Sequence, residues 1–514
     1  MKTEKRSVLI AVLTLWIAVV PGAAQSRAAS VKHHRYKLID LGTFGGPSSY
    51  LQIDNGVNGA PNRVLNSQGT VAGWADTTTP DPYAPFCFNF DCFTSYSFKW
   101  QGGARIDLGA LLGGQNSSAS WISDSGLIAG QSQNGVVDPL VPGFPEVRAT
   151  MWTKAGQIIN LGTLGGNESS AFSINNRGQV VGMAVNTIPD PFSFLATQLR
   201  AFLWDDGAMH DLGTLGGPEA WALFVNERGQ VAGFSFTNST PNSAADSCGG
   251  NVPTTDPFLW TKGRGMTDLG TLGGTCGSPL GLNNPGQVVG TSDLSGDLAT
   301  HPFLWTKPGP MQDLGTFGGD NGFALHINDA GEIAGSADLA GDQIHHAALW
   351  RSGGMTDLGT VEGDPCSRAY GINAKAQVVG GSSDCSTFLH AFLWENGGPA
   401  IDLNTLVAAD AGLTMTIAGY INDPGEIAGA GFPTGCTAED EDLCTHAYVL
   451  IPCDENHPDL EGCDYNEVES DVTANGAAPI PFVQSPTTRY RPANATKKSL
   501  RMPWYHEFEA LSDK

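Results

Sequence analysis

One string recurs through this chain and limits what it can become. Asp-Leu-Gly-Thr-Leu-Gly-Gly, or a near variant, begins at Asp40, Asp107, Asn160, Asp211, Asp268, Asp313, Asp357 and Asp402. The last four starts lie 44 to 45 residues apart, and the earlier gaps of 51 to 67 read as the same unit with insertions. A fixed period of this size marks a repeat architecture, in which each block buries its faces against its neighbours.

The third unit shows the anatomy. A short apolar stretch, residues 169–174, ends in Asn175-Asn176-Arg177-Gly178, and Gln179-Val180-Val181-Gly182 follows. Later, Ala201-Phe202-Leu203-Trp204 runs through Asp205-Asp206-Gly207 into His210-Asp211-Leu212-Gly213. Asn and Gly tolerate the positive φ of hairpin turns, so Asn-x-x-Gly reads as a turn between strands. The flanking pieces are rich in Val, Ile and Phe, and no stretch keeps a 3.6-residue rhythm. Each unit is therefore four strands of antiparallel meander, the size of one propeller blade. The Trp closing each third strand (Trp100, Trp152, Trp204, Trp260, Trp305, Trp350, Trp394) is the expected filler between blades.

The ends predict closure. Residues 36–42 form a fourth-type strand with no blade before it, and residues 446–451 end the eighth unit without a fourth strand after them. Pairing the two removes both exposed sheet edges. The expectation is an all-β, closed β-propeller of eight four-stranded blades over residues 36–452, the N-terminal strand completing the last blade. A linear β-solenoid is the rival architecture.

These landmarks resemble a known family. His390-Ala391-Phe392, its variants at His301, His346 and His446, and the repeated Asp-Leu-Gly and Ile-Asn-x-x-Gly strings are similar to the HAF-repeat family of bacterial extracellular repeat proteins. Units one to three depart from the pattern, with Ser97, Ala149 and Arg200 where later units carry His or Pro. The resemblance implies an exported repeat protein and carries no activity with it.

The N-terminus agrees. Lys2, Lys5 and Arg6 precede an apolar run from Val8 to Val20 and the small residues Gly22-Ala23-Ala24, so residues 1–24 read as a signal peptide and 25–35 as a linker. Localisation is expected to be secreted or periplasmic, without membrane insertion after cleavage. Ten cysteines fit an oxidising compartment, paired as Cys87 with Cys92, Cys248 with Cys276, Cys366 with Cys385, Cys436 with Cys444 and Cys453 with Cys463. Residues 453–514 read as a small Cys-closed loop and a disordered tail. A net charge of −25 disfavours nucleic acid as a partner. A monomer is expected.

If the Asp-Leu-Gly strand is outermost, the Gly-Gly connections, the cysteine pairs and four insertions (75–97, 133–148, 184–199, 236–256) share one face. There an aromatic crown, Tyr83, Phe86, Phe88, Phe90, Phe93, Phe144 and Phe192, is the candidate ligand-binding surface. Carboxylates entering the inner strands (Glu168, Glu219, Asp320, Glu362, Asp364) are expected to rim a central channel, as solvated charges, a cation site or an acid–base pair. Asp293 to Asp297 and Asp338 to Asp342 lack the spacing of a known calcium loop and read as turns. The repeated His reads as bonded to a neighbouring blade. No catalytic set, cofactor site or metal site is expected. The leading function is a non-catalytic module binding a glycan or protein through the crown of blades one to four. A polysaccharide hydrolase at the channel mouth and a purely structural protein are the alternatives.

Overall fold

In the computed structural model, the described residues are 30–54, 57–84, 87–89, 91–139, 143–190, 193, 195–242, 252–352, 354–436, 444–458 and 460–471. The signal-peptide segment, Cys248, Phe86, Phe90, Phe192 and the tail beyond 471 lie outside them.

The described chain is all-β and built from four-stranded antiparallel meanders. Five stand as separate four-stranded sheets, and three more join edge to edge into a twelve-stranded sheet. The joins are single parallel bridges, Thr255 to Cys276 and Thr300 to Asn321. The third unit runs Ser169–Ile174, Val180–Pro189, Thr197–Asp205 and Ala208–Asp211, each strand beside the next. The N-terminal strand Tyr36–Asp40 pairs antiparallel with His446–Pro452, Tyr36 opposite Pro452 and Asp40 opposite Tyr448, and so makes the fourth strand of the last sheet.

Glycine is required where strands approach most closely. A Cβ on Gly182 would lie 1.9 Å from the Ser170 carbonyl oxygen and 2.8 Å from the Phe202 ring. The Phe of Phe-Leu-Trp thus packs flat on the Gly of the second strand. Phe98, Phe202, Phe258, Phe303 and Phe392 are all fully buried, each ring contributing about 1.5–3 kcal/mol relative to exposure. The Trp after them is less uniform. Trp152 and Trp350 are buried and donate their indole N–H to Leu108 and Leu314 carbonyls of the preceding unit, both at 3.1 Å. Trp204 and Trp260 are only half-buried. The Phe is buried wherever it occurs, in five units, whereas the Trp is buried in five of its seven.

The Asn of each Asn-x-x-Gly turn does more than turn the chain. Asn283 accepts from the amides of Gly286 (3.1 Å) and Gln287 (2.8 Å), while its Nδ2 donates to Gln287 Oε1 (2.8 Å) and to the Asn328 carbonyl of the next unit (3.1 Å). The same reach to the next turn recurs from Asn66 to Ser123, Asn175 to Asn226, Asn226 to Asn283, Asn328 to Asn373 and Asn373 to Asn422. It also runs from Asn422 in the last unit to Asn66 in the first, at 3.0 Å. In unit two, Ser123 takes the Asn position, and the Ser125 amide donates to Asn176 instead.

Bulges at a common position in the inner strands, such as between Ala171 and Ser173 or Ala324 and His326, turn one extra residue inward. Phe172, Leu223, Leu280, Leu325 and Tyr370 meet there around Val57 and Ala60. Asn58, from the same segment of unit one, donates to Ser278 Oγ (2.6 Å) and the Pro279 carbonyl (2.9 Å). A segment of the first unit thus shares one buried cluster with the inner strands of several later units.

Both flanks of the repeats differ from expectation. Within the segment read as a linker, Ser30–His33 forms a strand paired with Val468–Asp471 from the segment read as loop and tail. The pairings Cys87–Cys92, Cys366–Cys385, Cys436–Cys444 and Cys453–Cys463 are present. Cys276 is also disulfide-bonded. Four disulfides indicate an oxidising, extracellular setting, and no helix among the described residues is long and apolar enough to cross a membrane.

Candidate functional site

The crown is a packed loop core. Phe88 is 1% exposed and Phe144 8%, and with Val147 they form a small cluster against which Tyr83 rests, its ring centroid 6.1 Å from that of Phe144. Asp81 ties the loop down, accepting from the Tyr83 and Phe88 amides at 3.0 and 3.1 Å. Phe93 is half-buried in the third strand of unit one. An aromatic surface open to a sugar or peptide is therefore not what Tyr83, Phe88 and Phe144 make. The reading of a binding module acting through this crown is corrected accordingly.

The carboxylates do not converge either. Glu168 is buried between units two and three and accepts from the Val147 amide (2.9 Å), and burial pushes its carboxyl up to about 9. Glu219 repeats this toward Leu199, and burial raises it to about 7. Asp364 instead pairs with His390 Nδ1 at 2.8 Å. Asp320 donates its amide to Asp342 (2.6 Å), and burial followed by the Asp342 charge raises its carboxyl. Glu362 is exposed. Glu168, Glu219 and Asp364 each serve a local contact, and among the described residues no hydrogen bond joins two of the five carboxylates.

His301, His346 and His446 bond within their own sheets, not to a neighbouring blade, whereas His390 bonds Asp364 in the loop before its unit's first strand. Nδ1 of His301, His346 and His446 lies 2.8–3.0 Å from the carboxylates of Asp313, Asp357 and Asp40, on the adjacent fourth strand. The same Asp caps the amide two residues on, as Asp313 does for Gly315 at 2.8 Å. That is strand chemistry. Asp297 likewise closes a turn, accepting from the Thr275 amide at 2.7 Å.

A cavity lies elsewhere, where the terminal segments meet the last two units on the Asn-turn side. Its volume is about 1020 Å³. Two turns (Lys375 and Pro424-Gly425) form one wall, and the disulfide-closed loop after Pro452 and the Ser30–His33/Val468–Asp471 ribbon form the other. The ribbon is fixed by His33, fully buried, whose Nδ1 sits 2.8 Å from Glu395 Oε1. Gln377 donates to the other Glu395 oxygen at 2.7 Å and in turn accepts from Asn373 of the turn series. Burial alone would raise the Glu395 carboxyl, but the bonds from His33 and Gln377 hold it below its usual range. Across the cavity burial opposes ionisation of Asp454, yet His457 (2.8 Å) and Asn456 keep it low. Glu426, behind it, is raised by burial. The Cys453 amide bonds the Arg35 carbonyl (2.8 Å) and Arg35 meets Asp464 at 3.0 Å, so the loop and the N-terminal segment are joined into one wall.

Four carboxylates line this cavity (Glu395, Asp454, Glu455, Glu467) against two ammonium groups (Lys32, Lys375), leaving an excess of negative charge. Lys32 and Glu467 pair at 2.7 Å, both well exposed; such a pair holds its geometry weakly. Tyr465 is exposed and supplies ring surface, whereas the Tyr36 ring is buried in the lining. Sequence reading missed this site because its walls come from segments read as linker and tail. The signal was there: a cysteine pair placed just beyond the last repeat.

No known protein family matches this chain, and no curated protein matches it. Solved structures do. They include the β-propeller domain of the Trilobed protease from Pyrococcus furiosus, with 12% identity, 60% of this chain and 82% of that one covered, and a TM-score of 0.36. Acylaminoacyl peptidase from Pyrococcus horikoshii gives 11%, 76% and 58%, with a TM-score of 0.39. Dipeptidyl peptidase 4 from Porphyromonas gingivalis gives 10%, 74% and 58%, with a TM-score of 0.40. This chain spans 58% of either peptidase.

Proposed function

We propose that this chain is an exported, closed, eight-bladed β-propeller whose ligand site is the cavity beside the seam, where it takes a small ligand carrying an ammonium group. The HAF-type strings and the basic-then-apolar N-terminus favour export. Closure is supported by the Tyr36–Asp40 pairing, the Asn422-to-Asn66 bond and a core cluster that mixes Leu41 and Val64 of the first unit with Ala428 and Val449 of the last.

One observation carries the ligand reading: the terminal ribbon and its disulfide loop wall off a cavity in which carboxylates outnumber ammonium groups. A volume of this order suits a small ligand, and ring faces next to carboxylates favour an organic cation. Titration calorimetry with glucosamine, lysine amide and N-acetylglucosamine tests it, on the wild type and on the Glu455→Gln, Glu467→Gln double variant. The two amines should bind and the neutral sugar should not, binding should weaken in high salt, and the double variant should bind them several-fold more weakly. Equal binding of the neutral sugar, or unchanged binding in the variant, would remove this cavity as the site.

A further inference from the structure

Unit one holds a pair of carboxylates, one fully buried and one half-buried, that nothing above employs. Asp76, on the second strand Val71–Pro80, is fully buried, and its carboxyl lies against that of Asp91 in the Cys87–Cys92 loop. Asp76 Oδ2 accepts from the Ser48 amide at 3.0 Å, whereas Oδ1 is buried with no hydrogen-bond donor. Asp91 accepts from the Tyr50 hydroxyl at 2.9 Å and the Phe93 amide at 3.2 Å. The side chain of Ser48 faces that hydroxyl; its Oγ is fully buried and also lacks a partner. Among the described residues, the groups that act on Asp76 are Asp91 and the Ser48 amide, and none is a lysine, arginine or histidine.

Two carboxylates held together, one fully buried and one half-buried, without a basic neighbour take either a shared proton or a cation between them. The orphaned oxygens of Asp76 and Ser48, beside Asp91, supply three hard oxygen donors converging from three segments of the chain. We propose that Asp76, Asp91 and Ser48 Oγ bind a calcium ion. The larger, irregular coordination of calcium tolerates such a set, with waters completing the shell, whereas magnesium demands a near-ideal octahedron. The ion would tie the disulfide loop, which carries Asp91, to the inner strands of unit one. Outside the cell, where calcium is abundant, sites of this modest charge bind with dissociation constants on the order of 0.1–1 mM.

Tyr50 and Trp74 stack beside the pair with ring centroids 5.4 Å apart, so excitation of either ring should sensitise a lanthanide held there. The experiment titrates the intact protein with terbium chloride, excites the aromatic rings, and then displaces terbium with calcium chloride. The wild type should give calcium-reversible luminescence, and Asp91→Asn, whose side chain lies in a half-buried loop position, should lose it by at least about tenfold at equal terbium. The melting temperature in calcium against chelator is read in parallel: the wild type should rise with calcium and Asp91→Asn should not. Luminescence equal in the variant would overturn the assignment. So would an Asp91→Asn protein that melts higher than wild type with no calcium response in either, since the pair would then share a proton and not a metal.

Discussion

Replacing Asn422 by Ala tests whether the turn series runs unbroken through the junction of last and first units. Asn422 is 4% exposed and makes four contacts: its Oδ1 takes the amides of Gly425 (3.1 Å) and Glu426 (2.8 Å), and its Nδ2 reaches the Asn66 carbonyl (3.0 Å) and the Glu426 carboxyl. At about 0.5–1.5 kcal/mol net per hydrogen bond, and with turn amides able to recover some water, the loss is about 3 kcal/mol. For a cooperative unit of this length the unfolding entropy is on the order of 0.9 kcal/mol per kelvin, so the melting temperature should drop by about 3 °C. Asn283→Ala is the internal reference, because Asn283 has the same set of bonds between two units in mid-chain. Scanning calorimetry with disulfides intact should give both variants the same shift. If Asn283→Ala falls by that amount and Asn422→Ala melts with the wild type, the junction bond is not made and the reasoning fails.

Three further outcomes follow from the packing and the charges. Trp350→Ala should cost about 3–5 kcal/mol in denaturant unfolding, and Trp260→Ala clearly less, because Trp350 is 1% exposed and Trp260 half-buried; equal losses would contradict the burial argument. Burial raises Glu168 to about 9 and Glu219 to about 7, above the ordinary 4.5, so the folded chain keeps protons that the unfolded chain has released. The contribution of these two groups should therefore be complete below about 4.5 and fall as pH rises, until about 7 for Glu219 and about 9 for Glu168, and Glu168→Gln should flatten the decline between about 7 and 9; a Glu168→Gln melting temperature that falls as steeply as the wild type's over that range would refute the reasoning. Removing Cys453–Cys463 by a double Ser substitution should weaken the outer wall of the cavity by about 2–3 kcal/mol for so short a loop. Amides of Ser30–His33 and Val468–Asp471 should then exchange faster while Ile427–Pro433 keeps its protection, and unchanged exchange in the ribbon would show that the bridge does not hold it.

Much of the fold was legible in the sequence, because a blade cannot bury its faces alone and the repeat says so eight times. Strand order within units, the pairing of Tyr36–Asp40 with the last repeat and the local cysteine pairs all follow from spacing. What spacing does not encode is the fate of residues that depart from the repeat. Val57 and Ala60 look like an ordinary loop, yet they pack in one buried cluster with Phe172, Leu223, Leu280, Leu325 and Tyr370. The aromatic loops read as display surfaces because Phe and Tyr in an insertion serve equally as recognition or as packing. Burial of Phe88 and Phe144 decides for packing. The turn Asn was assigned to backbone conformation alone, although its occurrence in seven of eight turns, paired with Gln or Glu four residues on in six of them, offered a second reason. The cavity beside the seam escaped notice because it needs both ends of the repeat region in one place.

The central claim, that the first strand of the repeat region belongs to the last sheet, is tested most directly by amide hydrogen exchange at Lys37 to Asp40. Those amides should be protected to the same degree as their partners at Tyr448 to Ile451 and should open with them in a single cooperative event. Exchange of the N-terminal amides at the rate of free chain, while Tyr448 to Ile451 stay protected, would contradict the account.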